Sequence, residues 1–464
     1  PASDLQRLCG ALEREWQLTN LECDLALLQT LQSQLRQGQW AVTVAVHDNR
    51  DIIAVWPGLH ERAFGLAVDI GSTTIAMHLC DLLTGNVLAT SGGMNPQIRF
   101  GEDLMSRVSY SMMNPGGARQ MTVAVRAALN ELVSQVTSAA GVEAGEILEA
   151  AFVGNPIMHH LLLGIDPVEL GGAPFALCID GSLTVKASQL DLQLHPNARI
   201  YVLPCIAGHV GADTAGVILA ERPDQRSELT LLVDVGTNAE IVLGNRERLL
   251  ACSSPTGPAF EGAQISGGQR AAPGAIERVR IDPQTLEPRF KIIGSDLWSD
   301  QPGFEAAAAA TGITGICGSG IIEVIAEMYL AGIINQDGVL LGSLAKRSDR
   351  VVKAGRTYSY VLHRGTTTLQ ISQNDVRAIQ LAKAALYAGI KLLMEHLGVE
   401  RVERIRLAGA FGAHIDVKYA MVLGMVPDCD LAQVTSAGNA AGAGARIALL
   451  DVEARTEIEN LVRR

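Results

Sequence analysis

Residues 64–91 read FGLAVDIGSTTIAMHLCDLLTGNVLATS. An apolar run through Leu66, Ala67 and Val68 ends at Asp69, Gly71-Ser72-Thr73 makes a tight turn, and a second apolar run leaves from Thr74. Thr84-Gly85-Asn86 then turns the chain into a third strand. Strand, turn, strand, turn, strand is expected, with Asp-x-Gly-x-x-Thr in the first turn. Glycine lets backbone N–H groups come close to a phosphate, hydroxyls add donors, and a carboxylate can hold a hydrated Mg²⁺. A plain hairpin turn has much the same composition, so this stretch decides nothing alone.

The chain writes the pattern twice. Residues 229–254 read LTLLVDVGTNAEIVLGNRERLLACSS, with Asp234 ahead of Gly236-Thr237-Asn238, a strand, a turn at Gly244-Asn245 and another strand. Asp69 and Asp234 stand 165 residues apart, about one domain's length. Two such hairpins, one from each half of a duplicated α/β unit, make a nucleotide clamp. The resemblance is to the superfamily of actin, heat-shock chaperones and sugar kinases (ASKHA). Asp69 to Thr74 match its first phosphate motif, Asp234 to Glu240 its second, and LAGAFG at 407–412 its adenosine motif. The fold implied is α/β: duplicated actin-like ATPase lobes of ribonuclease H-like type, with a small N-terminal α+β appendage. The divisions expected are 1–63 for the appendage, 64–222 for the first lobe and 223–464 for the second.

Composition agrees with several packed cores, since 464 residues are 48% hydrophobic with 47 glycines. A net charge of −12 gives the wrong sign for a general nucleic-acid or anionic-membrane partner. No uninterrupted apolar run reaches membrane-spanning length, because Glu323 and Glu327 break the one at 312–334. No charged-then-apolar leader opens the sequence, so the cytoplasm is the expected compartment. A start at Pro1 without Met is expected of a fragment or a processed chain. The eight cysteines, at 9, 23, 80, 178, 205, 252, 317 and 429, form no Cys-x-x-Cys pair. Reduced thiols packed as small hydrophobes are expected, rather than a local zinc or iron–sulfur site. Cys317 in Gly-Ile-Cys-Gly-Ser-Gly is either a small residue at a crowded turn or a thiol activated by a helix N-terminus.

Elsewhere the patterning gives a helix with Leu25, Leu28, Leu31 and Leu35 on one face, and a long amphipathic helix over 120–136. Arg99, Glu102 and Asp103 cluster at a helix start. The adjacent His159 and His160 point to different helix faces and lack a third ligand, which argues against metal. Small-residue helices are expected at 211–220 and from Asn439 to Arg446, as partners at a hinge between lobes. The stretch 350–371 reads as a β-ribbon, and Asn374-Asp375 as the cap of a helix running to Leu397.

Four further strings narrow the function: VGNPIMHHLLLGIDP (153–167), GPAFEGA (257–263), TGICGSGIIEVIAE (314–327) and LAGAFGAHID (407–416). With the two aspartate loops, they resemble the ATP-dependent reductive activators of corrinoid proteins. The resemblance implies an ATPase that returns a Co(II) corrinoid to Co(I), with a corrinoid protein of a methyltransferase system and an electron donor as partners. It leaves homodimerisation open. It also implies a 2Fe–2S domain, whose cysteine pattern this sequence lacks, so that domain is expected before Pro1 or on a separate protein. Asp69 and Asp234 are expected to position Mg²⁺ and the attacking water. Gly71, Ser72, Thr73, Thr74, Gly236, Thr237 and Asn238 are expected to cradle phosphates. Gly318 and Gly320 open an anion or ribose site, and Gly409, Ala410 and Gly412 let the adenosine approach the backbone. Ser253 and Ser254 are either plain strand-end serines or corrinoid-facing hydroxyls that offer cobalt a weak axial oxygen. A small-molecule kinase of the same superfamily is the alternative.

Overall fold

The computed structural model describes residues 2–365 and 367–463, apart from the side chains of Ala410, Phe411 and Ala413. The chain forms two compact units, Pro1–Ala220 together with Ala441–Arg464, and Glu221–Ala440. The sequence reading places 223–464 in one lobe, whereas here the last segment belongs with the first unit.

Each unit is built on a sheet of the same design. In the first, strand Phe64–Ile70 pairs antiparallel with Thr74–Asp81, which pairs antiparallel with Val87–Met94. On its other side Phe64–Ile70 runs parallel to Ile147–Gly154, which runs parallel to Arg199–Val202. The second unit repeats this order, from Leu249–Ser254 through Ala239–Gly244 to Thr230–Val235, then Arg404–Ala408 and Val434–Gly438. In both sheets the strand order reverses beside the first strand, the place where open α/β sheets bind ligands at their carboxyl ends. Asp69 and Asp234 stand at those ends, in register with Val153 and Ala408 of the neighbouring parallel strand.

Burial follows the apolar runs. Leu66, Val68 and Ile70 are packed under Met121, Val125, Leu129 and Val136 of helix Gly117–Ala140. Leu231 and Val233 lie in a core shared with helices Gly318–Leu330 and Gln373–Leu397. Each such side chain contributes roughly 1.5–3 kcal/mol on burial.

Two expectations are corrected. In helix Leu25–Gln37 the buried stripe is Leu27, Leu31 and Leu35, while Leu25 and Leu28 are exposed. A stripe repeating every fourth residue shares 31 and 35 with the expected one, so spacing alone does not choose between them. The cap of helix Gln373–Leu397 is Ser372, in a capping box with Asp375, rather than Asn374-Asp375. Among the described residues, no helix is long and apolar enough to cross a membrane.

Helices Ala212–Glu221 and Ala440–Leu450 carry the chain out of the first unit and back. They meet backbone to backbone: a Cβ on Gly444 would overlap the Gly216 carbonyl, and one on Gly216 would come within 2.9 Å of Ala441 O. Gly444→Ala is therefore expected to cost about 1–3 kcal/mol, read as a lower urea midpoint by circular dichroism.

Candidate functional site

The first aspartate loop is held by its carbonyl groups. Asn95, fully buried, donates from Nδ2 to Gly71 O (2.9 Å) and from its backbone N–H to Thr73 O (2.9 Å). Arg107, also fully buried, reaches from helix Leu104–Met113 to donate to Ser72 O. Burial pulls the Arg107 guanidinium down to about 10, against the opposing charge of Asp103, so it stays cationic at neutral pH. In a trans peptide the N–H points opposite to the C=O that precedes it. With the carbonyls of Gly71, Ser72 and Thr73 drawn inward, the N–H groups of Ser72, Thr73 and Thr74 point outward together. Successive N–H groups on one side make an anion-binding concavity. Gly71 closes the turn through its N–H to Thr74 O (2.9 Å).

The second loop is built in the same way with fewer parts. Thr256 donates its hydroxyl to Thr237 O (3.1 Å), with Gly236 O at 3.4 Å, which turns the N–H groups of Thr237 and Asn238 outward. Gly236 N–H bonds Asn238 O (2.9 Å). The Thr237 hydroxyl is buried and donates to Glu261 (2.8 Å), so its proton is committed within the unit. Ser72 differs, because its hydroxyl oxygen accepts from Asn155 Nδ2 (2.9 Å) and its proton is left to give.

Gly409 opens the short helix Gly409–His414 with φ at +82°, and a Cβ there would overlap Asp234 Oδ1. Its glycine is required by the neighbouring carboxylate. At Gly412 a Cβ would meet the Leu407 carbonyl carbon at 2.9 Å, and the Ala410 side chain lies outside the described residues. Gly318 and Gly320 begin helix Gly318–Leu330, and at Gly320 the strand carbonyl of Ile276 fills the space a Cβ would need. Cys317 caps that helix, is buried, and donates its thiol to Ile276 O (3.3 Å). The Ser254 hydroxyl is turned inward and donates to Ala385 O (2.6 Å), while Ser253, half-buried, bonds Glu240 across the hairpin (3.3 Å). His160 Nε2 accepts from Cys178 N–H (3.0 Å) and its Nδ1 lies 3.3 Å from that of His159, whose pKa burial lowers to about 3. Arg99 stacks on Phe100, and Asp103 caps its helix.

Asp213 is a residue the sequence reading passed over. A Cβ on Gly211 would sit 2.7 Å from Asp213 Oδ1 and 2.5 Å from Asn155 Cα, so this carboxylate lies against the residue that holds Ser72. Its Oδ1 accepts from Thr214 N–H (2.8 Å), and burial pushes its pKa up to about 6. An acid at the first turn of a helix of small residues is the one local signal for it. A folded-state pKa above the unfolded value favours the native state at low pH, and that contribution fades as pH rises from about 4 to about 6. Asp213→Asn keeps the Thr214 bond. It is expected to unfold at higher denaturant than wild type at neutral pH, with the gap closing below about pH 4. Gly409→Ala, which drives a methyl into Asp234, is expected to lower ATP turnover about tenfold or more with the circular dichroism unchanged.

Family models match the chain in three blocks: the RACo linker region over residues 1–62, the RACo middle region over 64–226, and the C-terminal domain of RACo, the ASKHA domain, over 228–464. The corrinoid activation enzyme RamQ of Eubacterium limosum is 33% identical over 430 residues, covering 90% of this chain and 69% of that protein. The Co(II) methylated amine-specific corrinoid protein reductase of Methanosarcina barkeri is 25% identical over 391 residues, 78% of this chain and 66% of that one. Among solved structures, a reductive activator for corrinoid, iron-sulfur protein superposes with a TM-score of 0.85 at 33% identity, over 100% of this chain and 73% of that one. Duplicated sheets with matched aspartate loops are thus accompanied by relatives over nearly the whole length, and the chain belongs to the RACo family of corrinoid-protein activators.

Proposed function

We propose that this chain is the ATP-driven part of a reductive activator that returns the Co(II) corrinoid of a methyltransferase system's corrinoid protein to Co(I). The observation that carries the reading is the pair of loops whose carbonyls are pinned by side-chain donors, each beside an aspartate at a strand's carboxyl end; trans peptide geometry then turns the following amides away from those donors. Ser72, Thr73, Thr74, Thr237 and Asn238 supply main-chain donors to phosphate oxygens, with the Ser72 hydroxyl as a further donor, while the Gly236 N–H closes its turn on Asn238 O. Asp69 and Asp234 would hold hydrated Mg²⁺, which would offset phosphate charge, and would orient the attacking water. Asp213, with its raised pKa, accepts a proton from water beside the first loop. Gly409, Ala410 and Gly412 border the nucleoside, and Gly318 and Gly320 its ribose.

The reduction transfers one electron from a donor to Co(II), so the donor is oxidised by one electron and cobalt reduced by one. ATP drives this uphill step only through different affinities for two states; moving a 1:99 equilibrium to 99:1 takes about 5.5 kcal/mol. The described cysteines are all free, and among the described residues no group of three or more His, Cys, Asp or Glu could hold a metal ion. This donor set does not fit an iron–sulfur cluster; in this reading the electron comes from a 2Fe–2S group on another domain or on a separate donor protein. Ser253 retains a half-exposed position from which it can approach a corrinoid; Ser254 is committed to the main chain of the neighbouring helix. A small-molecule kinase is the less supported reading, because relatives at 25% and 33% identity are named for corrinoid proteins.

Asp69→Asn and Asp234→Asn are each expected to lower ATP turnover by about 100-fold or more with the fold intact. Each should also abolish ATP-dependent loss of the Co(II) electron paramagnetic resonance signal when a corrinoid protein and a low-potential reductant are supplied. Hydrolysis at the wild-type rate in either variant would reject the assignment.

A further inference from the structure

The hairpin of strands Ala275–Ile281 and Pro288–Ile292 carries two like-charged pairs directly across from each other, Arg278 opposite Lys291 and Arg280 opposite Arg289. Val279 and Phe290, the pair between them, are buried in the core, so all four cations share the outer face. Like charges in such register destabilise a sheet. Trp298 lies among them, with Arg289 at 4.9 Å, Lys291 at 5.5 Å and Arg280 at 5.6 Å from its ring centre. Arg280 also stands 4.8 Å from the ring of Tyr419.

Compensation within the unit is partial. Glu323, fully buried, pairs with Arg278 (2.7 Å) and Arg280 (2.6 Å). Asp416 is 3.9 Å from Arg280, Asp300 is 3.8 Å from Arg289, and Glu277 lies near Arg278. Among the described residues, Lys291 has no carboxylate within ion-pair distance, and Arg289 is half-exposed. The buried Glu323 fixes two guanidinium groups in place, which lowers the entropy lost when they bind something. Alternating signs would stabilise this hairpin better.

We propose that this face, formed by Arg278, Arg280, Arg289, Lys291 and Trp298, docks the corrinoid protein through an acidic patch on that partner. The proposal rests on the reading of function above. Its argument is charge complementarity: a chain of net charge −12 repels an acidic protein on balance, and a local cationic face offsets that repulsion, which favours one orientation and raises the association rate. Trp and Arg are also the side chains that dominate protein interfaces, whereas an isolated cation cluster would suffice for a small anion.

The test uses the full chain and a purified corrinoid protein of a methyltransferase system in its Co(II) state. Association is followed by surface plasmon resonance from about 0.05 M to about 0.5 M salt, with ATP turnover measured alongside. In Arg289→Glu/Lys291→Glu the association rate is expected to fall at least tenfold at low salt, and to lose most of its salt dependence, with ATP turnover unchanged. Arg289→Gln/Lys291→Gln, which adds no repulsion, is expected to fall by less. Wild-type association in both variants would overturn the docking face and leave the functional reading standing. A wild-type chain that hydrolyses ATP yet never binds the corrinoid protein would overturn that reading, and this proposal with it.

Discussion

A turn whose carbonyls are pulled inward must present its amides outward, because each trans peptide sets the two in opposition. The rest of the site depends on that constraint. At residues 71–73 the pull comes from Asn95 and Arg107, and at 236–237 from Thr256. The two loops reach one outcome with different side chains, which locates the shared requirement in the main chain. A buried arginine that spends its bonds on carbonyls, without a carboxylate partner in those bonds, is costly. Its cost is offset by an arrangement the loop cannot hold alone.

The duplicated sheets explain why both loops sit where they do. In each, the first strand is flanked by an antiparallel partner on one side and a parallel one on the other, the kind of reversal at which open α/β sheets bind ligands. The aspartate lies near the end of the first strand, and the chain after the neighbouring parallel strand closes on its loop: Asn155 on Ser72 in the first unit, Gly409 on Asp234 itself in the second. Asn155 ties the Ser72 hydroxyl, and Gly409 yields the space that the Asp234 carboxylate takes.

Much of this was legible in the sequence because it is local. Asp-x-Gly between apolar runs, written twice, gives the hairpins, their order and the superfamily. What pins the loops was not legible, since Arg107 lies 35 residues from Ser72 and Asn155 lies 83 away, and tertiary packing chooses such partners. The same limit hid Asp213, whose shifted pKa comes from burial. The misplaced face of helix Leu25–Gln37 has a simpler cause, because two stripes with positions 31 and 35 in common satisfy one periodicity. Residues 441–464 look continuous with the second half of the chain, yet Arg455 pairs with Glu149, and Tyr201 donates to Glu459, within the first unit. Glycine has several causes as well: Gly409 clears a carboxylate, whereas Gly320 and Gly412 clear main chain.

The most direct measurement of the central claim is amide nuclear magnetic resonance during titration with a non-hydrolysable ATP analogue and Mg²⁺. The resonances of Ser72, Thr73 and Thr74 are predicted to shift, and so are those of Thr237 and Asn238, because the proposal assigns both sets of amides to phosphate oxygens. Shifts confined to one loop, or absent from both, would contradict the account.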